Sequence, residues 1–325
     1  MKLHSTLLAA TTMALAQLSP AAFADGGDYP ERTIRIVEAF APGGSTDFMS
    51  RYIAARVSAE WKQPVVVENR PGAAGQIGTG TVAKAKADGY TLLTLPNDVW
   101  SVVPLLYKLP YDTARDLTPI ASVARVPMVM AVHPAVPAKD VQEFIRYAQA
   151  HPGKIGYGSA GEGTLHHLSG ELFKRMAGVD MVHVPYKGTT PAVTDLVSGQ
   201  IQLVFSPISA VLPHIVAGKL KALGVASSRR VAALPGVPTM SESGLTGYAS
   251  DLWVTLIAPS GTPQSVIDKW SAQMKKLSET DETRTTLAAQ GIEPEFVAAD
   301  ALRQRFAEDT ARWRKVIEQS DIKLK

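Results

Sequence analysis

The stretch "IRIVEAFAPGGSTDFMSRYIAARV", residues 34–57, passes from an apolar run through a loop of small residues into a helical pattern. Met49, Tyr52, Ile53 and Val57 recur at helical spacing, which predicts a helix beginning near Thr46 or Asp47. Ser45 or Thr46 can serve as its N-cap, and Asp47 suits the positive end of the helix dipole. Gly43 and Gly44 permit φ > 0 and leave backbone N–H groups uncovered. Open N–H groups together with the dipole make a site for an anion. A plain capped turn, with Asp47 occupied in capping, is the other reading of the same residues. A nucleophile elbow fails, because its second glycine would fall on Asp47. A phosphate loop fails too, because no Lys-Ser/Thr pair follows the second glycine.

The same arrangement returns in "IGYGSAGEGTLHHLSGELFKRMAG", residues 155–178. Each copy leads to another strand and a second glycine-bearing loop, "NRPGAAGQIG" in the first half and "PYKGTTPAV" in the second. Around them, short β-branched runs alternate with helical patterns: strands at 33–40, 64–70, 90–96, 154–160, 181–186, 201–207 and 220–227, with helices between. That alternation implies parallel βαβ units, hence an α/β protein with helices flanking mostly parallel sheets. Two apolar stretches, 126–134 and 252–263, suit crossovers between two lobes. The C-terminal helices would then rejoin the first lobe. The glycine loops lie at the carboxyl ends of strands, where open α/β sheets bind ligands, so both lobes aim them into one cleft.

Other chemistries fit less well. Gly156, Gly158 and Gly161 match G-x-G-x-x-G, and Asp180 follows at a dinucleotide-like distance. Asp180, however, precedes the next strand and would sit at the wrong end of it. The helix pattern of Leu165, Leu168, Leu172, Phe173 and Met176 also starts too late for Gly161 to pack within it. His166, His167 and Glu171 could hold a metal, but no third ligand stands at matching spacing, and no metal or cofactor is expected. As an anion cradle the stretch works, with Ser159, Thr164 and His167 at a helix start. Asn97 and Asp98 end a strand before Trp100, Tyr186 to Thr190 form another loop, and Phe205 and Trp253 are aromatic candidates for either pocket wall or core.

The chain has 325 residues and a formal charge of +3, with Lys and Arg scattered, so no nucleic-acid footprint is expected. Lys2 and His4, an uncharged run from Leu7 to Leu18, and Ala22-Phe23-Ala24 read as a cleavable signal peptide over residues 1–24, cut after Ala24. The apolar run is short of the roughly 20 residues that span a bilayer. Cysteine is absent, which removes disulfides and thiolate chemistry.

Taken in order, "YPERTIRIVEAFAPGGSTD", "QPVVVENRPGAAGQIGT", "ADGYTLL", "LPYDTARDLTPI", "GSAGEGTLHHLSGELFKRMAGVDMVHVPYKGTTPAVTDLVSGQI", "LPHIVAGKLKALGVASSRR", "LPGVPTMSESG" and "LIAPSGTP" resemble the tripartite tricarboxylate transporter receptors, the Bug (Bordetella uptake gene) or TctC-like family. The resemblance covers essentially the whole chain after residue 24. It implies a two-lobed periplasmic binding protein, a type II-like Venus flytrap, expected to be monomeric. Its lobes would comprise 25–127 with 256–325, and 128–255. It implies a small carboxylate ligand held by backbone N–H groups and hydroxyls of Gly43, Gly44, Ser45, Thr46 and Asp47 on one lobe, and of Ser159, Gly163, Thr164 and His167 on the other. It further implies delivery to a TctA/TctB-like permease pair in the membrane, or signalling to a sensor kinase. The loop 97–101, with Asn97 and Trp100, is expected to set specificity. A hydrolase using Ser45 or Ser159 with His167 is the competing class, and no triad spacing supports it.

Overall fold

The computed structural model describes residues 29–319; the expected signal peptide lies outside them. The chain begins with β1 (Ile34–Glu38), α1 (Ser45–Trp61), β2 (Val65–Asn69), α2 (Gln76–Ala83) and β3 (Thr91–Pro96). Three short helices, α3 (Asn97–Ser101), α4 (Val103–Leu106) and α5 (Thr113–Asp116), lead into a long strand, β4 (Leu117–Val132). Then come α6 (Val141–Ala150), β5 (Gly156–Ser159), α7 (Leu165–Ala177), β6 (Val182–Pro185), α8 (Thr189–Val197), β7 (Leu203–Pro207), α9 (Ile208–Val216) and β8 (Lys221–Val225). Strand β9 (Asp251–Pro259) is followed by α10 (Gln264–Glu279), α11 (Asp281–Ala288), β10 (Glu293–Ala298) and α12 (Ala299–Glu318). The crossover helices start close to where the apolar spacing puts them.

The strands lie in the order β2-β1-β3-β9-β4-β7-β5-β6. β1 runs parallel to both β2 and β3, and β5 runs parallel to both β6 and β7. These parallel triplets come from the βαβ units legible in the sequence. The two crossing strands pair antiparallel with each other and with their neighbours, so each sheet is mixed around its parallel triplet.

β4 belongs to both sheets. From Leu117 to Pro127 it pairs with β9, and from Met128 to Val132 it pairs with β7 and β8. Proline has no N–H to give a ladder, and Pro127 stands where the partners change. Beside it, buried Arg125 binds Asp251 of β9 at 2.7 Å and Glu293 of β10 at 2.9 Å, tying the crossing strands together. Trp270 of α10 and Trp313 of α12 are fully buried, and β10 pairs with the first half of β4, so the C-terminal helices pack on the first sheet. The result is two mixed sheets that share β4, each covered by helices. Among the described residues no helix is long and apolar enough to cross a membrane.

Candidate functional site

The carboxyl ends of the parallel strands meet at one cavity of about 50 Å³. Its wall comes from the turn after β1 and the start of α1 (Phe40, Ala41, Gly44, Ser45, Thr46), from the junction of β3 and α3 (Pro96, Asp98), and from the turn after β5 and the start of α7 (Ala160, Thr164, His166). The turn after β6 (Gly188, Thr189, Thr190, Pro191), the end of β7 (Pro207) and Leu252 of β9 close it. Among the described lining residues there is no lysine or arginine.

Helix α1 starts one residue earlier than the sequence predicts. Its N-cap is Gly44, which has no side chain to offer, so neither Ser45 nor Thr46 caps it. The first intrahelical bond runs from Phe48 N to Gly44 O, which leaves the amides of Ser45, Thr46 and Asp47 without an intrahelical acceptor. Gly43, at φ +92°, makes the turn into the helix. Asp47 faces away from the cavity and braces this turn, accepting from Gly43 N at 3.1 Å, Arg51 Nε at 3.0 Å and Asn69 Nδ2 at 2.8 Å. Burial pushes its carboxyl up, but those three donors outweigh burial and hold it below the usual range.

Helix α8 opens opposite, from the second sheet. Its N-cap is again a glycine, Gly188 at φ +140°, and it too lacks a side-chain cap. The two turns are close enough that a methyl on Gly43 would lie 3.7 Å from Thr190 Oγ1, and one on Gly188 would lie 4.0 Å from Ala41 Cβ. Two uncapped helix starts therefore face the cavity from opposite sides, each presenting amides and the positive end of its dipole.

The start of α7 is used differently. Leu165 N donates to Asp98 Oδ2 at 2.7 Å, so a carboxylate from the first sheet fills this helix start. Burial pushes Asp98 up to about 6, against the bond from Leu165 and with help from nearby Asp309. Thr164 lines the cavity, but its hydroxyl donates to Gly161 O at 2.7 Å. His166 also lines the cavity. Its Nε2 contacts Thr189 Oγ1 at 3.0 Å, its Nδ1 has no hydrogen-bond partner, and burial lowers its pKa to about 4.

Of the residues expected at the site, Gly44, Ser45, Thr46 and Thr164 line the cavity. The rest take other places. Asn97 is buried between Asp309 Oδ2 (3.0 Å) and Trp253 N (3.0 Å). Ser159 is fully buried and bonded to His183 Nε2 at 2.7 Å. Gly163 N donates to His167 Nδ1 at 3.2 Å, and His167 stacks on His183 with 3.8 Å between ring centroids. Phe205 packs between Phe173 and Tyr248 in the core, while Trp253 packs near Phe306 with the Arg305 guanidinium 3.7 Å over its ring. The three residues weighed as a metal set are separated in use: His166 turns to the cavity, His167 to His183, and Glu171 to the Tyr157 hydroxyl at 2.6 Å and Lys174. Among the described residues, no group of three or more potential ligands is placed to hold a metal.

Asp98, Thr189 and Thr190, which the sequence offers only as loop residues that could touch a ligand, and His166, weighed there only for metal, also line the cavity. Their local signals were a strand end at 97–98, a helix start at 164–166, and glycine before threonine at 188–190.

A family model described as TctC, tripartite tricarboxylate transporter family receptor, matches residues 49–322. Protein BugT of Bordetella pertussis is 36% identical over 321 residues, covering 98% of each chain. Among solved structures, Rpa4515 of R. palustris with adipate is 35% identical at a TM-score of 0.87, covering 90% of this chain and 98% of that one. MatC of Rhodopseudomonas palustris with bound malate is 33% identical at a TM-score of 0.83, covering 89% and 100%.

Proposed function

The chain belongs to the tripartite tricarboxylate transporter receptor family, and from that membership we propose that it is a periplasmic receptor that closes over a small carboxylate and presents it to a tripartite-type permease. The observation that carries this reading is the pair of uncapped helix starts, α1 and α8, facing one cavity from the two sheets. Ser45 and Thr190 line the same wall with their hydroxyls, while those of Thr46 and Thr189 are engaged by Glu38 and His166. Neutral donors of this kind grip an anion without an opposing cation that would itself need desolvation. The His166 ring adds a directional contact: when Nε2 accepts from Thr189, Nδ1 carries the hydrogen and is free to donate. A cavity of about 50 Å³ exceeds the ~10–15 Å³ needed by one water and favours a small acid in the closed form.

The lobes are placed at residues 25–127 with the C-terminal segment, and from 128 to the start of β9. The change of β4's partners between Pro127 and Met128 supports the first boundary. Pairing of β9 with β3 and β4 argues for setting the second at Asp251 rather than after 255. Against hydrolysis stands the burial of Ser159 and its bond to His183, outside the cavity.

Thermal shift across adipate, malate, citrate, amino acids and aromatic acids tests the reading. A ligand at a hundred times its dissociation constant should add about 2.7 kcal/mol. A melting temperature unmoved by every acid in the panel sinks it. In a deletion strain, uptake of the bound acid should fall; intact uptake with lost transcriptional induction would move the protein from transport to sensing.

A further inference from the structure

Glu38, the last residue of β1, is fully buried behind the α1 start, and none of the sequence motifs accounts for it. Its Oε1 accepts from Thr46 Oγ1 at 2.8 Å and from Phe40 N at 3.2 Å. Thr46 and Phe40 both line the cavity, so Glu38 braces two wall residues from behind. The crowding is around its other oxygen. Ser50 Oγ lies 2.8 Å from Glu38 Oε2, 2.7 Å from Thr46 O and 2.5 Å from Thr94 Oγ1, and Thr94 Oγ1 lies 2.8 Å from the same Oε2. Ser50 and Thr94 supply one hydrogen each, so two hydrogens face four short oxygen–oxygen contacts. With Glu38 ionised, two contacts stay bare, and in most arrangements of the hydrogens one of them is against a charged oxygen. A hydrogen on Oε2 fills a third: the acid donates to Ser50, Ser50 donates to Thr46 O, and Thr94 donates to Ser50.

We propose that Glu38 is a positioning residue that carries a proton in the ligand-binding form, so that the ligand's carboxylate and the Glu38 proton bind together. This rests on the reading that the α1 start receives a carboxylate. An ionised Glu38 would put a second negative charge behind that start, in surroundings that screen it poorly. Burial pushes Glu38 up to about 7, over the opposing hydroxyl bonds, and Asp47 adds to the push. The charged groups facing it are few. On α1, Asp47 repels the anion and Arg51, paired to Asp47 at 3.0 Å, attracts it. β3 brings only the Thr94 hydroxyl, β2 pairs with β1 through neutral Asn69, and Asp98 and His166 stand on the cavity wall.

Two measurements test the linkage. In ligand-free protein, infrared difference spectra should show the carbonyl stretch of a neutral acid at pH 6 that fades above pH 7 and is missing in Glu38→Gln. Its absence from the wild type at pH 6 overturns the proposal, whatever the protein binds. Calorimetry with adipate and malate at pH 7.5, in phosphate and in Tris, should then reveal proton uptake on binding. Affinity should fall about sixfold between pH 6.5 and 8.5, most of the tenfold limit set when the ligand raises Glu38 by one pH unit from about 7. In Glu38→Gln the ratio of the two affinities should approach one; Asp98→Asn, run alongside, separates the Asp98 titration centred near 6. Binding with no proton uptake and equal affinity at both pH values overturns the linkage. Failure of either acid to bind counts against the receptor reading for these acids, and the infrared result still decides the Glu38 proton.

Discussion

The turn at Gly43–Thr46 leaves the start of α1 facing the cavity, whereas the turn at Gly161–Thr164 has the start of α7 filled by Asp98, 2.7 Å from Leu165 N. Behind the first stands a buried acid held by three hydroxyls; behind the second stands a stacked pair of histidines with Ser159 bonded to one of them. Burial pushes His183 down to about 3, so that ring stays neutral in the stack. Both turns are glycine-rich, both enter a helix, and both lie at the carboxyl end of a parallel strand. What separates them is which acceptor the folded chain brings to the free amides. A helix start is a site only where nothing in the protein already occupies it.

The largest effect expected from breaking this contrast is on the acid behind α1. A carboxyl pushed up from 4.5 to about 7 contributes stability that is fully present below 4.5 and lost as pH rises through 7. The whole loss is roughly 3 kcal/mol. Glu38→Gln should therefore be more stable than the wild type at pH 8 by up to that amount, with the gain vanishing at pH 4. Urea unfolding at the two pH values checks it, and a gain that is the same at both would refute the assignment.

Next comes the wall itself. Gly44 has an extended backbone, and a methyl there meets nothing within 4 Å, so Gly44→Val should fold normally. The added side chain occupies the cavity, and carboxylate affinity should drop by about 2 kcal/mol, near thirtyfold. Calorimetry showing unchanged affinity in a stable variant would remove the α1 turn from the site.

Asp98→Ala probes the filled turn. It strips Leu165 N of its acceptor, and an unpaired buried amide costs about 1–3 kcal/mol. At pH 5, below the value of about 6 to which Asp98 is raised, the wild-type carboxyl is mostly neutral and still accepts the bond. As pH rises through 6 the wild type loses the stability it gains from the neutral form, so the deficit of the variant should be largest at pH 5 and narrow by pH 8. A deficit that grows with pH would contradict the placement of Asp98.

The smallest effect belongs to Thr164, whose hydroxyl is spent on Gly161 O. Thr164→Ala should cost about 1 kcal/mol of stability and change affinity by less than about threefold. A large loss of affinity with intact stability would show that the α7 turn grips the ligand after all.

Adjacent residues show how far the sequence carried. Asn97 and Asp98 are neighbours on α3, yet Asn97 turns into the lobe to hold Asp309 and Trp253 N, and Asp98 reaches across to α7. Residues 98 and 165 meet only because two sheets close on each other, and no local pattern encodes that. Phe205 and Trp253 are strand-end aromatics whose type fits core and pocket equally well; packing chose the core. Glu38 reads as an ordinary strand end until Thr46, Ser50 and Thr94, from two other elements, converge on it.

By itself, the sequence determined the parallel βαβ triplets and a glycine entry to α1, while leaving open whether Ser45 or Thr46 caps it. Those depend on side-chain periodicity and on glycine at a helix entry, which act over a few residues. The tertiary structure alone decided that the α1 start stays uncapped, that α8 faces α1, that α7 is filled from the other sheet, and that an acid is buried behind the wall. Each of those turns on a hydrogen bond or a close approach between segments far apart in the chain, and only folding brings the partners together.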